Sequence, residues 1–362
     1  MMNNKNNALR PAVQQAGFSL VEILVGLVIG LLATLVIMQV FSAFEGQKRS
    51  TSGSSDAQTN GTIALHNIQR DVQMAGFGLP IPMADRDNAS LNCNPSPSYD
   101  DGDPATPNLE LFPLSIQNGA ANASDSVTVR YSTTALGAVP VKITNPANAT
   151  SFGLTVDNNI GCKDGDIALI SQGTSCVMTA IADANGSPDT LINITLKNTT
   201  PLGGPIAIGA KLTCMGNWQA HQYTVVNNEL QLDGSPIVAE IVNMQAQYGV
   251  SATADNNQVT QWVDATTGGI WENPTVANRN RIKAVRIVVI ARNGLLEKDD
   301  VTNVCTTAKG VVNNGPCAWD DADFDAAPLI DLSADADWQK YRYRAFETII
   351  PLRNMIWSKD VL

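Results

Sequence analysis

One acid stands where an acid is costly. Glu22 is the only ionisable residue between Phe18 and Phe44, in the run FSLVEILVGLVIGLLATLVIMQVFSAF. A carboxylate at the centre of a bilayer costs about 2.5–3.5 kcal/mol on insertion scales. Near a helix end it can reach the headgroups; the functional alternative is that it meets a cation. A cut between Gly17 and Phe18 would supply one, because the new amine would lie four residues from Glu22, about one helical turn away. In a polymer the amine of one subunit could then pair with the carboxylate of its neighbour inside the membrane.

Other residues could do chemistry in principle. Residues 319–337 hold seven aspartates, and Asp321, Asp323 and Asp325 have the 1-3-5 spacing of a calcium loop. The sixth position is Ala326 instead of Gly and the twelfth is Leu332 instead of Glu, so this is no EF-hand. A solvated acidic loop is the plainer reading and an irregular calcium site the alternative; the stretch Asp100-Asp101-Gly102-Asp103 is read the same way. His66 reads as a surface or half-buried structural residue; His221, flanked by Gln and Tyr on a strand, has no recognisable nucleophile near it in sequence, which argues against a hydrolase triad. The phosphate-binding, zinc-protease and nucleophile-elbow signatures are all absent, so neither an enzymatic activity nor a cofactor is expected.

Six cysteines follow the apolar run: Cys93, Cys162, Cys176, Cys214, Cys305 and Cys317. They allow fifteen pairings. The shortest loops are 162–176 and 305–317, with 93–214 left over; closing a loop of about 15 residues is worth roughly 3 kcal/mol in the chain-entropy model. No C-x-x-C occurs, which argues against a zinc or redox site and for disulfides in long loops, formed in an oxidising compartment. The connectivity stays open.

The elements that must position these groups come next. Twenty-seven apolar residues span about 40 Å as a helix, and about 20 suffice to cross a bilayer. A cleaved secretory signal would have a shorter apolar region with its small cleavage-site residue after it; here Gly17 precedes the run. Lys5 and Arg10 before it balance Lys48 and Arg49 after it, so charge leaves the orientation tied. The cysteines favour export of the C-terminal body.

Residues 45–55 (EGQKRSTSGSS) have low helical propensity, and Ser55 or Asp56 could cap a second helix. In that helix Leu65, Ile68, Val72 and Ala75 form one apolar stripe, and Gly76, Gly78 and Pro80 end it. From residue 80 the pattern is β. SVTVRYS, DIALIS and TLINITL read as strands, and YTVV…ELQL as a hairpin across Asn227-Asn228. Ala284–Ala291 (AVRIVVIA) is apolar on both faces and so should be a central strand. Residues 81–108 and 299–337 read as long loops.

Composition fits. The chain has 362 residues, enough for one large or two ordinary domains, and 44% of them are apolar, enough for a core. Only 16% are charged, against about 25% in typical soluble proteins. A net charge of −11 is wrong for nucleic-acid binding. It is unevenly placed: residues 299–337 carry −8 between basic flanks at 279–298 and 340–362.

The segment Gly17-Phe18-Ser19-Leu20-Val21-Glu22, opening such a helix, resembles the class III signal of type IV pilins and type II secretion pseudopilins. Three later blocks, Pro236–Val250, Ile282–Arg292 and Tyr341–Asn354, together with Ile63–Gly78, resemble the PilW family of minor pilins. The resemblance implies an α+β, type IV pilin-like fold, in which a long N-terminal helix, transmembrane in its first half, packs on an antiparallel β-sheet domain with long loops. It implies a cleaved leader at 1–17, a transmembrane half at 18–44, an amphipathic half at 45–79 and a β-rich domain at 80–362. Gly17 and Phe18 would be the cleavage and N-methylation sites, and Glu22 the helix-packing acid. The implied role is pilus assembly in a minor-pilin tip complex that primes polymerisation. The implied partners are other minor pilins, the major pilin, a tip-associated adhesin, prepilin peptidase and the inner-membrane platform. The implied location is the bacterial inner membrane, single-pass with the C-terminal domain in the periplasm, and then the pilus tip. A J-like pseudopilin and a pilin-borne adhesive or calcium-dependent binding module are the alternatives.

Overall fold

The computed structural model describes residues 17, 19–79, 93, 97–99, 108–120, 123–133, 139–146, 153–184, 192–196, 205–319 and 327–357. The chain divides into two compact units, Met1–Ser52 and Gly53–Leu362. One α-helix, Leu20–Met74, contributes to both. The segment 45–55, expected to be helix-poor, is helical. Gly46 and Gly53 cost propensity, but Gly53 is buried, and a Cβ there would fall 2.0 Å from the Asn293 side chain. The glycine is required by close approach within the second unit, not by a break in the helix.

In the first unit every residue from Leu20 to Lys48 is exposed. In the second, Ala57, Ala64, Ile68, Val72 and Ala75 enter the main core. The expected stripe is present, with Ile68, Val72 and Ala75 buried and Leu65 partly buried against the core, and Ala57 and Ala64 extend it. Gly61 lies on the same stripe, where a Cβ would sit 2.0 Å from the Phe346 ring. The helix ends as its glycines require: Gly76 and Gly78 have φ of 75° and 86°, a region side chains rarely adopt.

Three antiparallel sheets make up most of the β structure. A four-stranded sheet runs in the order Gln261–Val263, Ile241–Val250, Ile282–Arg292, Tyr343–Pro351. The strand Ile282–Arg292 is central and buried almost throughout, as its apolar run demands. Val285, Ile287, Val289 and Ala291 face the main core with the helix stripe. Val288 and Ile290 face a second cluster with Ala318, Trp319, Ile330, Leu332 and Trp338. Ala318, Trp319, Ile330 and Leu332, from the segment expected as a long loop, therefore cap the far face of this strand. Arg286, on that face, is sandwiched between the Trp262 and Trp319 rings at 4.9 and 4.6 Å and donates from Nε to Gln247 Oε1 at 2.6 Å. Burial pulls its pKa down to about 10.

A five-stranded sheet runs Ser235–Ala239, Glu229–Leu232, Trp218–Val226, Ser126–Ser132, Leu114–Gln117. Its hairpin turns at Asn227 and Asn228, both left-handed with φ of 53° and 62°, as a two-residue type I′ turn requires. A six-stranded sheet runs Pro140–Lys142, Lys211–Gly216, Ile167–Gln172, Ser175–Asp183, Ile192–Leu196, Gly153–Val156. Alternation along its strands splits two cores. Leu169, Met178 and Met215 join the main core, while Ile170, Val177 and Leu212 build a separate one.

That alternation also decides the disulfides. Cys93 and Cys176 lie with the main core, and Cys162 and Cys214 with the separate one. The bonds are Cys93–Cys176, Cys162–Cys214 and Cys305–Cys317. The short 162–176 loop is not closed, because its two cysteines belong to opposite faces of one sheet; 93–214 fails for the same reason.

Candidate assembly site

Gly17 is exposed, with no heavy atom within 4 Å of a built Cβ. Phe18 lies outside the described residues. Two residues on, the Ser19 carbonyl accepts from Glu22 N at 3.0 Å and Ile23 N at 3.2 Å and so starts the helix. Glu22 is thereby held in the first turn with its side chain exposed. A carboxylate there is favoured by the positive end of the helix dipole. The apolar side chains that follow, from Leu20 to Phe44, are about half exposed or more. By length and composition this helix can cross a membrane.

The second unit fixes its own part of the helix with polar groups. Asp71 is 2% exposed and points into the five-stranded sheet. Its Oδ2 accepts from the Tyr223 hydroxyl at 2.7 Å and lies 3.0 Å from His221 Nδ1. Tyr131 Oη is 3.2 Å from the same His221 nitrogen. His221 and Tyr223 are on one strand and Tyr131 on its neighbour, so the register brings all three to the carboxylate. Burial, then Asp71 itself, pushes the Tyr223 hydroxyl well above the usual tyrosine range, so it stays protonated and donates to the carboxylate. The carboxylate that His221 meets lies 150 positions away, so no local reading links the two. His66 is exposed.

Further ties lie on either side. Arg344 donates to Gln58 Oε1 at 2.9 Å and Ser54 Oγ at 3.1 Å. The Gly76 amide donates to Arg130 O at 2.9 Å, and Asn354 Nδ2 donates to Ala75 O at 3.1 Å. Alternation along the strand separates Arg344 from Tyr343, which packs against the second cluster. Arg342 pairs with Glu297 at 2.9 Å. Asp125 is a buried acid that sequence reading missed. Its two oxygens accept from Gly119 N at 2.9 Å and Ala246 N at 2.8 Å. Burial, with a smaller push from Asp264, raises its pKa to about 7 against those two bonds.

Asp321, Asp323 and Asp325 lie outside the described residues, as does the Asp100–Asp103 stretch. Among the described residues no group of three or more His, Cys, Asp or Glu side chains could hold a metal ion.

Residues 211–354 match the family described as type IV pilus-assembly protein W, PilW. Over that stretch, less than half of the chain, the protein is similar to PilW proteins. The match takes in the strands Ile241–Val250, Ile282–Arg292 and Tyr343–Pro351 and the PilW-like blocks around them. The structure itself supplies the rest of an α+β, pilin-like architecture: a long apolar N-terminal helix and a C-terminal antiparallel sheet domain. The family is described as one of type IV pilus assembly. No curated protein and no solved structure matches the chain.

Proposed function

We propose that this chain is a minor pilin that helps prime type IV pilus polymerisation within a tip complex. The observation that carries the reading is one helix with two fates. Its Gly53–Met74 part is built into the second unit, and its Leu20–Phe44 part is apolar and exposed. Prepilin peptidase cuts after Gly17 and methylates Phe18. The freed helix leaves the inner membrane beside other pilin helices, with Glu22 neutralising a neighbour's amine. The β domain, in the periplasm and then at the pilus tip, meets other minor pilins and a tip-associated adhesin.

The processing step is tested by Gly17→Val, which should abolish cleavage and leave a slower-migrating precursor on a gel; normal mobility overturns it. The assembly role is tested by deleting the gene. Surface piliation and twitching should fall while the major pilin level is unchanged, and the full-length protein should co-purify with other minor pilins. Unaltered piliation overturns that role.

A further inference from the structure

A cleft of about 430 Å³ opens beside the Asn227-Asn228 turn, in the size range of small-ligand sites. Its polar lining offers donors and acceptors together: the carboxamides of Asn227, Asn228 and Asn243, the carboxylates of Asp331 and Asp335, and the guanidinium of Arg292. Tyr343, Leu332 and Val242 supply apolar wall between them.

Several of these groups are held in place before any ligand arrives. Arg292 donates from Nε to Glu240 Oε2 at 2.7 Å, and its Nη1 lies 3.3 Å from Asp335 Oδ2. Its guanidinium stacks over the Tyr341 ring at 4.3 Å. Glu240 has a φ of 58°, a left-handed conformation rare for a side-chain-bearing residue other than Asn or Asp. A strained position thus carries the carboxylate that aims the guanidinium, an arrangement common where geometry serves binding. Asn243 is buried, and its Oδ1 already accepts from Gln245 Nε2 at 3.0 Å, which leaves its amide as the donor. Asp331 Oδ1 accepts from Asn314 Nδ2 at 3.0 Å and from Ser333, and these bonds hold its carboxyl below the usual range. It stays an ionised acceptor at any neutral or mildly acid pH.

The charge pattern narrows the ligand. Arg292 is matched by Glu240 and Asp335, and Asp331 adds a further negative charge, so a free anion is repelled. An ammonium group would meet Arg292 and could make no use of the amide donors, since it has no acceptor. Vicinal hydroxyls both donate and accept, so they suit carboxylates, carboxamides and guanidinium in one place, and the C–H face of a pyranose suits the apolar wall. We propose that this cleft binds a neutral saccharide, as a mono- or disaccharide unit of a larger glycan. The proposal goes beyond the assembly role and does not depend on it.

Saturation-transfer NMR on the full chain tests it, in lauryl dimethylamine oxide micelles so that the detergent has no sugar headgroup. The probes are glucose, galactose, N-acetylglucosamine, lactose and maltose, with the uncharged peptide Gly-Asn-Gly-Ser-Gly as the other arm. At least one sugar should bind in the millimolar range. The double variant Asn227→Gly/Asn228→Gly keeps a turn that needs positive φ, and should weaken that sugar about tenfold at unchanged melting temperature. Asp335→Asn, on an exposed side chain, should weaken it as well. Transfer to none of the five sugars, transfer to the peptide alone, or sugar binding undiminished in both variants overturns the proposal.

Discussion

Up to Phe44 the long helix is almost wholly apolar and exposed on all sides; from Gly53 it is apolar on one stripe and buried there. A helix apolar all round finds its partners in lipid or in a crowd of like helices, whereas a striped one finds them in its own chain. The glycines mark the same contrast. Gly26, Gly30 and Gly46 have nothing within 4 Å of a built Cβ, while Gly53 and Gly61 have neighbours at 2.0 Å. One residue type thus plays two parts along one helix, and only packing tells them apart.

Substitutions can break or sharpen that contrast, with stability read as tryptophan-fluorescence unfolding of the full chain in micelles. Asp71→Ala should cost most, about 3–5 kcal/mol, because it strands Tyr223 and His221 at the helix–sheet contact. An unchanged midpoint would show that apolar burial alone holds the helix. Gly61→Leu should cost about 1–3 kcal/mol by driving into Phe346. The pH dependence comes next. The Asp125 carboxyl ionises near 3.8 when unfolded and near 7 when folded. Its contribution is therefore complete below about pH 4 and is lost as pH rises through 7. Unfolding should come several degrees lower at pH 8 than at pH 5, and Asp125→Asn should flatten that difference, whatever its own cost. Smallest is Gly30→Ala, which should leave the midpoint unchanged and raise helicity by the ordinary propensity gain of roughly 1 kcal/mol. A large loss there would mean the exposed half is packed after all.

What sequence reading saw depended on periodicity. Strand Ser126–Ser132 matches SVTVRYS residue for residue, and the Asn227-Asn228 hairpin and the central strand over 284–291 are where alternation and apolar runs put them. These signals are local, so they survive without tertiary information. What stayed hidden is set by contacts between distant residues. Gly53 reads as weakening the helix, and Gly61 goes unremarked, because Asn293 and Phe346, which need the room, are more than two hundred positions away. The segment after 299 reads as a long acidic loop because its aspartates outnumber the few residues, Trp319, Ile330, Leu332 and Trp338, that cover the central strand. The Asp71 tether joins positions 71, 131, 221 and 223, and no spacing rule links them. The disulfides show both cases. The Cys305–Cys317 loop is short and closes, whereas the other four cysteines are sorted by the two faces of a sheet that has to exist first.

That sorting has a consequence for biosynthesis. Along the chain the first four cysteines pair first with third and second with fourth. They emerge in the order Cys93, Cys162, Cys176, Cys214. An oxidant that joined thiols as they appeared would couple Cys93 to Cys162, a bond absent from the folded protein. Maturation thus requires either that Cys93 wait until Cys176 has been delivered, or that an early wrong bond be reshuffled by thiol exchange.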